Sequence, residues 1–266
     1  GSTLEQTGGL ASITGYFNEN PLLTNETFPD PMVGLFSVGI ILSALRRRKM
    51  YGKGCFIDLS QRELTVNLIG EHILESQSDI KTQKLLGNSH KISAPQGVYK
   101  CRGDDDWITL SISNDNEWSI LCNIMDKTNL IDKNEYKTSF DRHKHRIEID
   151  QVINDWTTSK TKYELMSLLQ EANIPAGVVS KGREVINDPQ LNFMQFWDNV
   201  NHPEAGKYKQ VTTPWIFSNF TRNDTNPAHN LGEDNQRVFQ VILGLDNNKY
   251  QHLLDIGCIG GSPLRT

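Results

Sequence analysis

The sequence is short of the features that would place it in a specialised class. It holds 4 cysteines in 266 residues, Cys55, Cys101, Cys122 and Cys258, and none is close enough to another for a CxxC pair. That argues against a disulfide scaffold or a cysteine zinc site. Four free, buried thiols are expected, which fit a reducing, cytoplasmic compartment. There is no HExxH motif and the remaining histidines are scattered, so no metal is expected. There is no basic surplus either: 27 Lys and Arg stand against 32 Asp and Glu, a net charge of −5. A nucleic-acid surface needs a basic stripe, so no nucleic-acid partner is expected. Long apolar runs are also missing. The best candidate, Met32 to Leu45, contains Ser37 and Ser43 and falls short of the roughly 20 residues of a membrane span, so no membrane association is expected. No signal-peptide pattern, repeat, Gly-x-Ser-x-Gly elbow or complete dinucleotide fingerprint is present.

What is there reads as mixed α and β, with a compact middle segment between two outer ones. "EQTGGLASITG" (5–15) suggests a glycine-rich turn, and "NENPLLTNETFPD" (18–30) a loop. From Pro31 a helix is expected. Its apolar residues surround most of the circumference, so it should be covered on several sides. Arg46, Arg47, Arg48 and Lys49 follow at its C-terminal end, where the helix dipole favours cations. A turn and short strand are expected in 51–60 and a helix over 62–77. Strands follow at 97–101 and 106–112, then helices at 114–125, 142–158 and 161–174 and a strand at 175–180. A short helix over 183–191, ended by Pro189, a β-like segment at 206–218 and two closing helices complete the reading.

Asp30 is the residue with two readings. As a structural residue it is an N-cap, with Pro31 at the first helical position. As a functional residue it is a carboxylate kept ionised beside the positive end of a helix, able to attack an activated carbonyl and form a covalent intermediate. Gly34, one turn on, would keep the approach uncluttered. Other motifs have plainer readings. His143 and His145 in "RHKHR" point to different sides of a helix and do not share a metal. "RRRKMYGKG" (46–54) reads as a solvated helix end, with a phosphate-bearing ligand as the alternative, and "CIGGSP" (258–263) is a weak phosphate-loop candidate. The five tryptophans, Trp107, Trp118, Trp156, Trp197 and Trp215, read as core anchors.

An ordered set of segments carries a family resemblance. They are "GGLASITG", "DPMVGLFSVGIILSALRRRKMYGKGCFIDLS", "GNSHKISAPQGVYKCRGDDDWITLSI", "NDNEWSILCNIM", "IPAGVVS", "EVINDPQL", "HPEAGKYKQVTTPWIFS" and "NLGEDNQRVFQVILGL". In this order they resemble the family III CoA-transferases, the family of formyl-CoA transferase, crotonobetainyl-CoA transferase and α-methylacyl-CoA racemase. The resemblance implies an α/β fold: a Rossmann-like large domain, here partial, plus a smaller α+β domain. Residues 1–80 would be the C-terminal part of the large CoA-binding domain and a linker, 81–180 the small domain, and 181–266 the return to the large domain. The resemblance also implies acyl-CoA:carboxylate CoA-transfer through covalent aspartyl intermediates at Asp30. An acyl-CoA and a small carboxylic acid would be the substrates, coenzyme A entering as a thioester substrate rather than a bound cofactor, and the full-length protein would form an interlocked homodimer. No CoA-contacting residue is assigned.

Two departures shape the expectation. Family members carry a longer N-terminal half, so Gly1-Ser2 reads as an expression scar or an internal start, and the chain alone as an inactive fragment. The shielding run of glycines found in formyl-CoA transferase has no counterpart in "GNSHKISAPQG", which argues against formyl or oxalate specificity. Two alternatives stay open. One is a 2-methylacyl-CoA racemase, whose aspartate pairs with a histidine upstream of residue 1. The other is a non-catalytic fragment or subunit serving in assembly.

Overall fold

The structure is a computed structural model that describes residues 1–78, 85–219 and 225–262. Cα packing divides the chain into two units, Gly1–Val179 and Ser180–Thr266. The boundary expected at 80/81 lies outside the described residues.

The first unit opens with helix α1 (Ser2–Thr7) and a 3-10 turn (Leu10–Ile13). Next come the long helix α2 (Pro29–Tyr51) and two shorter helices, α3 (Gln61–Leu68) and α4 (Gly70–Ser76). A single helix was expected over 62–77. It breaks at Ile69, the residue that ends α3 and precedes Gly70. Gly8 lets α1 close on α3, since a Cβ there would lie 2.6 Å from the Thr65 Cγ2 atom. The Arg62 guanidinium donates to the Thr7 carbonyl across the same junction (3.1 Å).

Helix α2 departs from expectation in two ways. It starts at Pro29 and runs on through the arginines to Tyr51, where Gly52 ends it with an N–H···O bond to Arg48 (2.8 Å). Among the described residues it is the one helix long and apolar enough, by length and composition, to cross a membrane; Met32 to Leu45 underestimated it. It is also not covered. Pro29 and Val33 are buried, but Leu35, Phe36, Val38, Ile41, Leu42 and Leu45 are 44–65 % exposed. A helix apolar all round needs neighbours on several sides, and its main packing partner in this chain is α3. The short strand expected in 51–60 does not form either. A strand needs a neighbouring edge for its N–H and C=O groups. None pairs with it among the described residues, and Phe56 is fully solvent-facing.

The middle of the first unit holds the core. Strands β1 (Gln96–Lys100), β2 (Trp107–Ser111) and β3 (Ala176–Val178) form an antiparallel sheet in the order β1-β2-β3. Tyr99 faces Ile108 in the first pairing and Ile108 faces Val178 in the second. Ile108 and Leu110 bury one face of β2, as period-two alternation requires. Helices α5 (Asp115–Ile124), α6 (Ser139–Lys144), α7 (Arg146–Thr157) and α8 (Lys162–Glu171) complete the unit. Trp118, Leu121, Cys122 and Met125 form an i, i+3, i+4, i+7 stripe. They meet Ile149 and Ile153 of α7 and Leu165 and Leu169 of α8 in the buried cluster. The helix expected over 142–158 is two helices, parted at His145. Arg142 and Tyr99 are among the polar groups sealed in. Arg142, fully buried, donates to the Ala94 (2.9 Å) and Tyr136 (3.1 Å) carbonyls and pairs with Asp115 at 2.8 Å. Tyr99 donates its hydroxyl to Asp150 at 2.6 Å.

The second unit carries α9 (Gly182–Ile186), α10 (Pro189–Phe193), a hairpin of β4 (Trp197–His202) and β5 (Gly206–Val211), a π-helical turn (Arg237–Ile242) and α11 (Asn247–Asp255). Pro189 begins a helix here rather than ending one, with Asp188 as its N-cap accepting from the Leu191 N–H. Strand β4 was not anticipated, because Asp198, Asn199 and Asn201 have poor β propensity. Pairing with β5 from Trp197↔Val211 to His202↔Gly206 overrides that preference. Of the five tryptophans, Trp118 alone is fully buried and Trp215 is exposed, so the reading of all five as core anchors fails.

Candidate active site around Asp30

Asp30 is not an N-cap. It lies inside α2 as the second helical residue, and the residue before the helix, Phe28, supplies no side-chain cap. The sequence explains why α2 can start without one. The first helical N–H groups normally lack intrahelical partners, but Pro29 and Pro31 have no N–H to satisfy. The N–H between them, that of Asp30, donates to the Thr27 carbonyl at 3.0 Å. The Asp30 carboxylate is therefore released from capping. It is 43 % exposed, with the amino nitrogen of Gly1 3.2 Å from Oδ2, and it sits at the positive end of the longest helix among the described residues, where negative charge is favoured.

Gly34 is one turn further along the same face. A Cβ at Gly34 would meet nothing within 4 Å. Helical Cβ atoms lean toward the N-terminus, so that empty space lies over the Asp30 patch. Nothing packs on the helix at that point, and no described residue demands the glycine.

Sequence reasoning missed a second carboxylate, Glu5 of α1. It is 1 % exposed. Its Oε2 accepts the Thr24 backbone N–H at 2.8 Å and its Oε1 the Thr24 hydroxyl at 2.7 Å. The Thr24 N–H, helped by the Thr24 hydroxyl and the Phe28 backbone and opposed by burial, holds Glu5 below the ordinary glutamate value. No local pattern announces this residue; its partners lie 19 positions away.

The remaining candidates do not join this site. Arg46, Arg47, Arg48 and Lys49 are exposed at the far end of α2. The His143 ring bonds the His90 carbonyl at 3.1 Å, and His145 separates two helices. No cluster of three or more His, Cys, Asp or Glu is placed to hold a metal among the described residues. Cys101 and Cys122 are buried, and burial pushes their thiols up to about 11 and about 12, which makes them inert at neutral pH. Cys55 and Cys258 are exposed, contrary to the expectation of four buried thiols. A cavity of about 580 Å³ in the first unit is lined by Ser12, Thr14, His72, His90 and Lys91 among others, but not by Asp30.

Comparison with known proteins gives the family. The model of CoA-transferase family III matches residues 1–235, running through α1, Asp30 and the whole of α2. The human succinyl-CoA:glutarate CoA-transferase is 26 % identical over 94 % of this chain and 57 % of its own length. A formyl-CoA:oxalate CoA-transferase from Rhodopseudomonas palustris is 27 % identical over 95 % of this chain and 64 % of its own. The chain thus spans about six-tenths of these two relatives. The crystal structure of a CAIB/BAIF family protein from Brucella suis superposes with a TM-score of 0.79 at 22 % identity, covering 90 % of this chain and 61 % of that one, which fixes the fold as the expected α/β type. The chain belongs to CoA-transferase family III.

Proposed function

We propose that this chain carries the nucleophile of an acyl-CoA:carboxylate CoA-transferase and that Asp30 is that nucleophile. The observation that carries the reading is the Asp30 carboxylate itself: half-exposed, relieved of capping and set at a helix N-terminus. The names of the relatives, which transfer CoA between carboxylic acids, support the reaction class.

The chemistry follows from those properties. An Asp30 oxygen attacks the thioester carbonyl, and the C–S bond breaks to give a mixed anhydride and CoA thiolate. The thiolate attacks the aspartyl carbonyl, releasing the donor acid as its carboxylate and leaving an aspartyl-CoA thioester. The acceptor carboxylate attacks that thioester, and the freed thiolate then attacks the acceptor's acyl carbon, returning Asp30 to its ionised form. Each step exchanges one nucleophile for another at a carbonyl, so no net proton transfer is needed. Water must be kept from the activated aspartyl group, which a carboxylate this exposed does not achieve with its own neighbours.

The same reading assigns 1–80 to the end of a CoA-binding large domain, 81–180 to a small α+β domain and 181–266 to a return segment. CoA enters as a thioester substrate, with no metal or resident cofactor. The open apolar face of α2 supports an assembled homodimer as the working form, with α2 a helix of that fold rather than a membrane anchor. Free thiols support the cytoplasm as its compartment. Replacing Asp30 with Ala in the intact protein should abolish exchange of labelled CoA between acids. Hydroxylamine added during turnover should leave a hydroxamate at residue 30 by mass spectrometry. Undiminished exchange by Asp30→Ala rejects the assignment.

A further inference from the structure

We infer that Glu5 is the positioning residue of this site, a buried carboxylate that holds the Thr24–Phe28 turn and so aims Asp30. The inference rests on Asp30 being the nucleophile.

A surface glutamate on a six-residue helix would need no explanation. Glu5 is instead almost wholly buried, and a charge in that position must be compensated. It is compensated by hydrogen bonds from the turn that leads into α2: both carboxylate oxygens are taken by Thr24, and the Phe28 backbone and the terminal ammonium add to the stabilisation of the anion. Thr24 and Phe28 bracket the turn. Between them Asn25 and Thr27 adopt left-handed backbone, φ 61° and 46°, which is costly for a non-glycine residue and a β-branched one in particular. Such a turn persists when something outside it fixes its ends, and Glu5 grips one end directly. Thr27 in turn accepts the Asp30 N–H. The support therefore runs from Glu5 to Thr24, through the turn to Thr27, and from Thr27 to the residue that bears the nucleophile.

Glu5→Gln in the intact protein keeps size and shape but removes the charge, leaves one acceptor oxygen for the Thr24 N–H, and forces the bond with the Thr24 hydroxyl to reverse its direction. A small displacement of an attacking group is enough to cost about 10²-fold. The expected result is a fall in kcat of about 10- to 100-fold, with KM for acyl-CoA within about twofold of the parent. In single-turnover trapping with hydroxylamine, formation of the residue-30 hydroxamate should slow by the same factor. Thr24→Val, which removes the hydroxyl and keeps the backbone N–H, should give a smaller fall of the same kind. Parental kcat and trapping rate in a folded Glu5→Gln protein overturn the inference. If Glu5→Gln does not fold, parental rates in Thr24→Val overturn it. Absence of any residue-30 adduct in the parent protein is a different outcome: it removes the nucleophile itself and does not depend on Glu5.

Discussion

Replacing Gly34 with Ala separates what this chain needs from what its active site needs. Glycine inside a helix costs about 0.8–1 kcal/mol relative to alanine. At Gly34 the added methyl would meet open space, so no clash offsets the gain. Gly34→Ala should therefore stabilise α2 by nearly the full amount, read as a higher urea midpoint with an unchanged m-value. Activity should move the other way. The methyl leans over the patch beside Asp30. If the thioester or a covering surface comes close to the helix there, the added atom forces a displacement costing about 1–3 kcal/mol. At one factor of ten per 1.36 kcal/mol, kcat/KM in the intact protein should fall about 5- to 150-fold. Labelled CoA exchange between acids measures it. A variant both stabilised and fully active would refute the reasoning, because the glycine would then serve no approach at all.

Two further substitutions test the core. Arg142→Ala strands the carbonyls of Ala94 and Tyr136 and leaves a hole beside Trp118. A loss of about 3 kcal/mol or more is expected in equilibrium unfolding, whereas a change under about 1 kcal/mol would deny the network its role. Asp150 has a folded pKa raised above its ordinary value, chiefly by burial, with the Tyr99 hydrogen bond opposing. A raised folded value means that the stability Asp150 lends is present while the group is protonated and is lost as pH rises through that value. Asp150→Asn still accepts the Tyr99 hydroxyl, so its stability relative to the parent should improve as pH rises from the ordinary aspartate value through the raised folded one. A constant difference between the two would show that Asp150 is not desolvated.

The parts of the fold legible in the sequence are those set by local periodicity. Helices α5 and α8 and strands β1 and β2 announced themselves through apolar spacing; the structure adds that Asn114 and Thr161, the first residues of the two expected helical segments, cap them. Strand β4 was hidden because its stability comes from its partner rather than from Asn199 and Asn201. The break at Ile69 and the parting of α6 from α7 were hidden because both halves keep helical periodicity across the join. At the candidate site, the N-cap reading of Asp30 was misplaced. The two prolines that flank Asp30 read as a helix start at Pro31, whereas the helix begins one proline earlier and takes Asp30 inside. Glu5 could not be read, since its burial is created by a turn far along the chain.

The main buried cluster lies wholly between Tyr99 and Ile174, while Asp30 and its supporting turn lie outside that stretch and α2 keeps most of its apolar side chains in solvent. The interior that keeps the molecule intact and the exposed carboxylate of Asp30 are thus written into separate lengths of the polypeptide. Substitutions around that carboxylate can be made without eroding the interior, and changes in the interior can harden the molecule without reaching Asp30.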